Sequence, residues 1–394
     1  MFKRYTSRKN FWSFAWACAA CSSPAADTAE NQAQKPAEQH TEPQQQASAP
    51  MRTMNAELVD PGPAGAPSAK TSPATAGAPA AGSGVTSTAG EGAGGTTAGA
   101  GGTAGAGAAG SAAQATLEIR GDIYSYVWGR RRLTLDLAHG ARITHFGLDD
   151  RNLLTGPDVD MVNFGSTFWP SPQDRWGWPP VPELDSDPYE VDVTADKMRF
   201  ASKPGTRAKV GVSKQIRADK SEDCVDVTYE LVNSDSAAAK WAAWEITRVA
   251  AGGLSFFPTG QRKVGTQLPV VDQGGVSWFQ HDPAKISGDG QKFSADGAEG
   301  WLAHVSGRTL LVKVFSDVMP DAQAPAPEAE IELYAARGYV EIEPQGPYTE
   351  LKPGESSSWS VRWLITELPA QVPTELGSQA LVEFVRSFIA QPRP

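Results

Sequence analysis

The stretch from residue 22 to about residue 115 limits where this chain can build a hydrophobic core. It consists mainly of Ala, Gly, Thr, Ser, Pro and Gln, as in the run over residues 94–102, and it shows no apolar periodicity. A segment of this composition cannot bury enough apolar surface to offset the entropy lost on ordering its backbone. We therefore expect residues 22–115 to be a disordered tether and residues 116–394 to form one folded domain.

The first 21 residues have the features of an export signal. Basic residues are followed by an apolar run over residues 11–20, and Cys21 then follows two alanines. This pattern resembles the signal of bacterial lipoproteins, in which the cysteine is acylated. The resemblance implies a signal peptide over residues 1–21, a lipid anchor at Cys21 and a place in the bacterial cell envelope. Ser22 after the cysteine points to the outer membrane. Because the run is too short to span a bilayer, we expect the chain to be anchored to the membrane rather than to cross it.

The acidic surplus lies wholly after residue 115. The formal net charge of the chain is -10, and the seven basic and seven acidic residues of the preceding part cancel each other. An acidic domain without a basic stripe argues against nucleic acid as a partner. Cys224 has no partner cysteine in this domain, so we expect no internal disulfide, and we expect a monomer.

Alternating apolar residues predict a fold made of strands. Val225, Val227, Tyr229 and Leu231 occupy one face of a strand whose other face is more polar. Similar runs occupy residues 133–137, 309–315, 330–334, 339–343 and 359–365. Only residues 375–390 have apolar side chains at helical spacing. These patterns predict an all-β fold, a large antiparallel β-sandwich with a short carboxyl-terminal helix.

Residues 165–180 combine three indoles with prolines and polar side chains. Because proline fixes φ and lacks a backbone donor, we expect this segment to be a stiff, irregular loop. Indole faces can cover the C–H side of a sugar ring, and neighbouring polar groups can bond its hydroxyls. The alternative is a Trp-rich plug that closes one end of the sandwich. The candidate sugar-binding residues are Trp169, Gln173, Asp174, Arg175, Trp176 and Trp178.

Three short motifs suggest a family. Residues 339–355 contain Glu-Pro-Gln at 343–345 and Leu-Lys-Pro-Gly-Glu at 351–355, and Gly-Ala begins a strand pattern at residue 140. With the segment around residues 168–173, these motifs resemble the galactose mutarotase-like superfamily and, within it, the DUF4380 family. The resemblance implies a β-supersandwich, a carbohydrate ligand and, if the domain is an enzyme, an aldose 1-epimerase with Glu343 as general base.

Alternation along the late strand places Glu341, Glu343 and Gln345 on one side. Paired carboxylates on one face can separate their pKa values, so that one donates a proton and the other accepts one. In the alternative interpretation, both glutamates are solvated on an outer sheet face.

The histidine that mutarotases use as general acid has no counterpart in residues 233–248. We expect Trp244, Glu245 and Arg248 to occupy the cleft instead, where an arginine binds ligand but donates no proton. His281 is the best remaining candidate for the acid, since aromatic and acidic neighbours can tune an imidazole. The alternative is that His281 only holds the structure together.

Other chemistry has little support in the sequence. No His/Cys cluster has zinc-ligand spacing, and neither a nucleophile elbow nor a phosphate loop is present. The acidic pairs at 149–150 and 185–187 could hold calcium through their carboxylate oxygens, but such pairs are typical of solvated loop ends, so we expect neither metal nor cofactor. Three functions stay open: carbohydrate binding, aldose 1-epimerase activity, and a non-catalytic module of the envelope that binds another protein.

Overall fold

The structure, a computed structural model, describes residues 115–194, 197–218, 224–288 and 290–391. The predicted signal peptide, its Cys21 and the predicted tether as far as residue 114 lie outside the described residues.

The described residues form 21 strands and two α-helices, α1 at Pro182–Asp185 and α2 at Gln379–Ala390. The first ten strands are β1 Thr116–Arg120, β2 Ile123–Trp128, β3 Arg131–Asp136, β4 Arg142–Leu148, β5 Arg151–Asn152, β6 Ser166–Ser171, β7 Glu190–Val193, β8 Met198–Ala201, β9 Val210–Ala218 and β10 Cys224–Asn233. The others are β11 Ala239–Ala250, β12 Leu254–Thr266, β13 Val271–Gln273, β14 Val276–Gln280, β15 Gln291–Gly297, β16 Trp301–Ser306, β17 Thr309–Val314, β18 Ile331–Ala335, β19 Tyr339–Pro344, β20 Thr349–Leu351 and β21 Ser356–Glu367.

These strands pair in antiparallel fashion into two main sheets. The first sheet runs β1, β2, β3, β4, β6, β11, β19, β18, β15 and ends on the second half of β12. The second sheet runs β7, β8, β9, β10, β21, β17, β16, the first half of β12, β14 and β13. Strand β12 therefore belongs to both sheets and joins them at one edge.

The two sheets enclose the main hydrophobic core. Phe168 of β6 stacks on Tyr229 of β10 with ring centroids 4.4 Å apart, and Phe146 of β4 packs edge-on against Trp363 of β21. The predicted inward set on β10, which includes Val225, Val227 and Leu231, is fully buried in this core. The prediction of a large antiparallel β-sandwich is confirmed.

Helix α2 covers the outer face of the second sheet. Its buried residues Leu381, Val382, Val385 and Phe388 pack in a second apolar cluster with side chains of that sheet. The helix begins at residue 379, four residues later than predicted, because the Ser378 side chain accepts a hydrogen bond from the backbone of Leu381 and caps it.

The prediction of an irregular loop over residues 165–180 is wrong for its first part. Residues Ser166–Ser171 form strand β6, which is buried along its whole length and pairs with β11. Proline is tolerated on a strand edge that makes no ladder hydrogen bonds. Within the described residues, β6 has β11 as its strand partner from Thr167 to Ser171 and meets β4 only at Ser166, so Pro170 has such an edge. The chain then leaves the sheet through a 3₁₀ turn at Gln173–Arg175.

Candidate functional site

The outer face of the first sheet carries a group of buried and partly buried charged side chains, which we call the charged cluster: Arg248, Lys292, Glu332, Glu341 and Glu343. Strand pairing brings them together, because Arg248 lies opposite Glu341 and Glu332 lies opposite Glu343 in register. The other face of β11 points at the second sheet. Alternation along each strand therefore turns the charged cluster away from the core.

Glu343 lies at the centre of the charged cluster and is fully buried. The indole Nε1 of Trp244 donates to Glu343 Oε2 over 2.9 Å, and the Nζ of Lys292 lies 3.4 Å from the same oxygen. Glu343 Oε1 is buried and has no hydrogen-bond partner in the described structure. This carboxylate therefore has one oxygen held in place and one acceptor available.

Lys292 links two glutamates across the cluster. Its ammonium forms ion pairs with Glu332 and Glu343 and lies 4.7 Å from the ring centroid of Trp244, in cation–π contact. Burial alone lowers the pKa of Lys292, but the two carboxylates outweigh it and raise the pKa above its usual value. Lys292 therefore stays charged at neutral pH.

Arg248 anchors the other end of the cluster. Its Nε donates to Glu341 Oε1 over 2.7 Å, one terminal nitrogen donates to Thr167, and the guanidinium lies over the ring of Trp169. Burial raises the pKa of Glu341 to about 7, against the opposing effect of Arg248, and raises the pKa of Glu332 to about 8. These two carboxyls can hold a proton near neutral pH.

Trp169 connects the indole segment with the cluster. It meets Trp176, Trp178 and Trp244 edge-on, with ring centroids between 5.6 and 6.3 Å away. Its own Nε1 donates over 3.0 Å to Asp185, which is buried in an ion pair with Arg142. Asp185 is thus a buried partner of Trp169, and its prediction as a solvated loop end is wrong.

Glu328 ties the indole segment to the end of the late strand. One carboxylate accepts hydrogen bonds from the Ser171 hydroxyl, from the backbone of Gln173 and, at 3.3 Å, from the side chain of Gln345. Gln345 also donates to Glu332 over 2.7 Å. The segment and the strand are thereby fixed relative to each other.

The cluster is nearly closed to solvent. Glu332 and Glu343 are fully buried, and Trp169, Trp176 and Trp244 are buried as the plug alternative describes. Trp178, in contrast, is 57% exposed, and the side chains of Lys292 and Glu341 are 34% and 13% exposed. Trp178, Lys292 and Glu341 therefore give this group of side chains its exposed surface.

Two predicted site residues, Glu245 and His281, make their contacts outside the charged cluster. Glu245 lies on the opposite face of β11 from Trp244 and Arg248, where it pairs with Lys313 and accepts from Tyr229 and Trp363 between the sheets. Because alternate residues of a strand face opposite ways, Glu245 cannot share their cleft, and that prediction is wrong.

His281 is held by backbone groups at both ring nitrogens. Nδ1 accepts from the Gly252 amide over 2.8 Å, and Nε2 donates to the Ala336 carbonyl 2.9 Å away. This arrangement fixes the neutral form, and burial lowers the pKa of His281. These contacts agree with a structural role for His281, so we do not propose it as the general acid.

Part of the indole segment supports the site without lining it. Trp176 donates to the Pro170 carbonyl, and Arg175 bonds the Lys240 carbonyl and the Tyr348 hydroxyl while stacking on Trp241. Asp174 is exposed on the 3₁₀ turn. Of the residues predicted for sugar contact, the structure brings together Trp169, Trp178, Trp244, Arg248, Glu341, Glu343 and Gln345.

Lys292, Glu332 and Glu328 were not predicted. Glu332 lies in residues 330–334, which the sequence predicts to be a strand. Because Glu330 and Glu332 alternate with apolar residues, the sequence does indicate that the two glutamates share one face of that strand. Lys292 follows a turn pattern and gives no signal of its own, because its role depends on strand register with distant residues. In the described part of the chain, no group of three or more His, Cys, Asp or Glu side chains is arranged to hold a metal ion.

Three open grooves on the described surface lie away from the charged cluster. One of about 510 Å³ runs along β8, β9 and β10 and is lined by residues such as Arg199, Ser213 and Asn233. The side-chain amide nitrogen of Asn233 donates hydrogen bonds to the Ala237 and Leu351 carbonyls. This groove has neither an indole nor a buried unpaired acceptor in its lining, so the chemistry favours the charged cluster as the candidate site.

Comparisons with known proteins give likeness of structure only. No family model and no curated protein matches the chain, so the resemblance to DUF4380 stays a prediction. A galactose mutarotase-like protein from Lactobacillus casei aligns over 62% of this chain and 100% of its own, with 11% identity and a TM-score of 0.46. A galactose mutarotase related enzyme from Lactobacillus acidophilus aligns over 64% and 100%, with 11% identity and a TM-score of 0.45.

A TPR-domain containing protein from Parabacteroides distasonis aligns over 63% of this chain, with 14% identity and a TM-score of 0.45. This chain spans about half of that protein, 48% of its length. At these identities and TM-scores the comparisons assign no residue, ligand or activity to this chain.

Proposed function

We propose that the domain binds a carbohydrate against Trp178 and the charged cluster. The observation that carries the proposal is the meeting of the indole segment and the late strand, where Trp169 packs on Trp244 and Trp244 donates to Glu343. The exposed indole of Trp178 supplies the apolar face that a pyranose needs, and the charged cluster, connected to this indole through Trp169, supplies the hydrogen-bonding groups.

Isothermal titration against hexoses and cell-wall oligosaccharides tests the proposal. We expect at least one sugar to bind and the variant Trp178→Ala to lose about tenfold or more in affinity, because the exposed indole is removed without disturbing the core. Val271→Ala, an exposed apolar residue on β13 of the other sheet, is the control and should bind like the wild type. Absence of heat with every sugar, together with unchanged tryptophan fluorescence, would contradict the proposal.

Aldose 1-epimerase activity is a second candidate. Glu343 has an unpaired oxygen, and Glu341 on the same face has a pKa raised to about 7 by burial, so a base and an acid lie on one strand. In this mechanism Glu343 accepts the proton of the anomeric hydroxyl while Glu341 donates a proton to the ring oxygen, and the ring opens.

Polarimetry of freshly dissolved α-glucose and α-galactose tests this activity. The wild type should accelerate mutarotation, and Glu343→Gln should abolish the acceleration while leaving sugar binding within a few fold. Equal rates with and without wild-type protein would reject the enzyme and leave the binding function standing.

We further propose that Cys21 carries a lipid that anchors the chain in the bacterial cell envelope, at the outer membrane. The support is the signal-like sequence before Cys21. In the described part of the chain, neither helix is long and apolar enough to span a membrane. Metabolic labelling with a fatty acid should mark the wild type and not Cys21→Ser, and labelling of both would contradict the anchor.

A further inference from the structure

We propose that the site prefers an amino sugar, a sugar with a free primary amine, over neutral and acidic sugars. This inference rests on the proposed carbohydrate function and names its ligand class. Three features of the charged cluster carry it: its balance of charges, its unpaired acceptors and the way it already holds an ammonium.

The balance of charges favours a cation. Four carboxyl groups lie in the hydrogen bonds and ion pairs of this face, those of Glu328, Glu332, Glu341 and Glu343, and among the described residues Lys292 and Arg248 are the cations paired with them. Water cannot screen these groups fully, and ionising all four in a buried site would be costly, so Glu332 and Glu341 hold protons near neutral pH. A ligand that replaces the Lys292 ammonium with its own keeps a cation among these groups, whereas a uronic acid adds a further carboxylate.

Unpaired hydrogen-bond acceptors also favour a cationic ligand. Glu343 Oε1 and Gln345 Oε1 belong to side chains that are at least 99% buried, and neither oxygen has a hydrogen-bond partner among the described residues. Buried acceptors without donors are rare, because each has lost its bonds to water. An ammonium group offers three donors and no acceptor, so it can satisfy several such oxygens at once.

Lys292 shows how the site holds a primary ammonium. Its Nζ lies between Glu332 and Glu343 and over the indole of Trp244, an arrangement of two carboxylates and one aromatic face. One third of this side chain reaches solvent. When an amino sugar binds, its ammonium takes this place and the flexible Lys292 side chain turns outward to water.

Titration calorimetry at about pH 7 tests the preference in the full-length protein. The ligands are glucosamine and galactosamine, the parent sugars glucose and galactose, N-acetylglucosamine, whose nitrogen is neutral, and glucuronate. We expect an amino sugar to bind about tenfold or more tightly than its parent, the ratio given when a charge-assisted hydrogen bond replaces a neutral one. N-acetylglucosamine should bind no tighter than glucose, and glucuronate should bind weakest.

The variant Lys292→Met tests the place of the ammonium. Without the resident ammonium, the preference for the amino sugar over its parent should grow by a further several fold, while Lys285→Met, an exposed lysine of another loop, should leave the ratio unchanged. Thermal unfolding checks that both variants are folded. If Lys292→Met does not fold, the wild-type ratios alone decide.

The outcomes separate this inference from the function on which it rests. Equal or tighter binding of a neutral sugar or glucuronate overturns the preference and leaves carbohydrate binding intact. An unchanged ratio in folded Lys292→Met overturns the ammonium position. Failure of every sugar to bind overturns the proposed function itself.

Discussion

At the scale of single residues, Trp244 is the side chain that joins the two halves of the site. Its ring packs on Trp169 and makes a cation–π contact with the ammonium of Lys292, and its Nε1 donates a hydrogen bond to Glu343. Its position on β11 between β6 and β19 makes these three contacts possible at once.

Trp244→Phe should lower the free energy of unfolding by about 1–2 kcal/mol beyond the loss of ring size, because a buried carboxylate loses its donor. Sugar affinity should fall about tenfold. Trp241→Phe is the matched control, since the Nε1 of this buried indole on the same strand has no hydrogen-bond partner among the residues that the structure describes. Equal losses in the two variants, measured by urea unfolding and calorimetry, would contradict the role of the indole donor.

Glu332→Gln should change how stability depends on pH. Burial raises the pKa of Glu332 to about 8 from an ordinary 4.5, so between these values the folded chain binds more protons than the unfolded chain and wild-type stability falls as pH rises. Glutamine mimics the protonated form and does not titrate. The variant should come close to the wild type near pH 5 and gain on it by roughly 4 kcal/mol by pH 9. A constant difference in Tm across this range would show that Glu332 is not perturbed.

At the scale of elements, the loop from Thr155 to Gly165 positions Arg248. The Gly165 amide donates to the Thr155 carbonyl and closes the loop, while the Thr155 amide and the Gly165 carbonyl both bond the backbone of Arg248. The loop ends therefore hold the strand segment that carries the guanidinium, as in a compact Ω-loop whose ends meet.

Gly165→Ala should disrupt this closure. Gly165 has a φ of +61°, and an added Cβ would lie 2.4 Å from the backbone oxygen of Ile143. We expect a loss of about 3 kcal/mol in unfolding free energy, from left-handed strain together with the clash. Gly177→Ala is the control, because it has a φ of +68° with open space around the new Cβ and should cost only about 1 kcal/mol. Similar losses in urea unfolding would contradict a tight closure at Gly165.

The sequence predicts elements better than it predicts which of their faces meet. Period-two runs located β10, β17, β18, β19 and β21 closely, because burial on one face leaves a direct mark on a strand. Strand β6 was missed because Pro170 normally excludes a strand, and only an unpaired edge, a property of the assembled sheet, permits it. Motif comparison over residues 233–248 groups Glu245 with Trp244 and Arg248, whereas strand alternation puts Glu245 on the opposite face of β11.

At the scale of the whole molecule, the second sheet depends on α2 for the burial of its outer face. Leu381 of this helix is fully buried against that sheet. Leu381→Ala should lower the free energy of unfolding by about 2–4 kcal/mol, through lost burial and the cavity left behind. Glu383→Ala on the exposed side of the same helix should change it by less than about 0.5 kcal/mol. Chemical denaturation measures both, and a small effect at Leu381 would mean that the helix is not a fixed part of the fold.

The fold class was predictable because it depends on local periodicity, whereas the site depends on contacts between residues distant in the chain. Glu343 and the indoles were singled out by resemblance and by composition. Their convergence needed β6 and β19 to flank β11, an order that local patterns do not specify. Lys292 joins the site for the same reason, through β15 and β18.

A crystal structure of the protein with its tightest-binding monosaccharide tests the central claim most directly. The account predicts a sugar ring against the face of Trp178, with hydroxyl or amine groups within hydrogen-bonding distance of Glu341, Glu343 or the displaced Lys292. A sugar bound in the groove along β8 to β10, or anywhere out of reach of both Trp178 and Glu343, would contradict it.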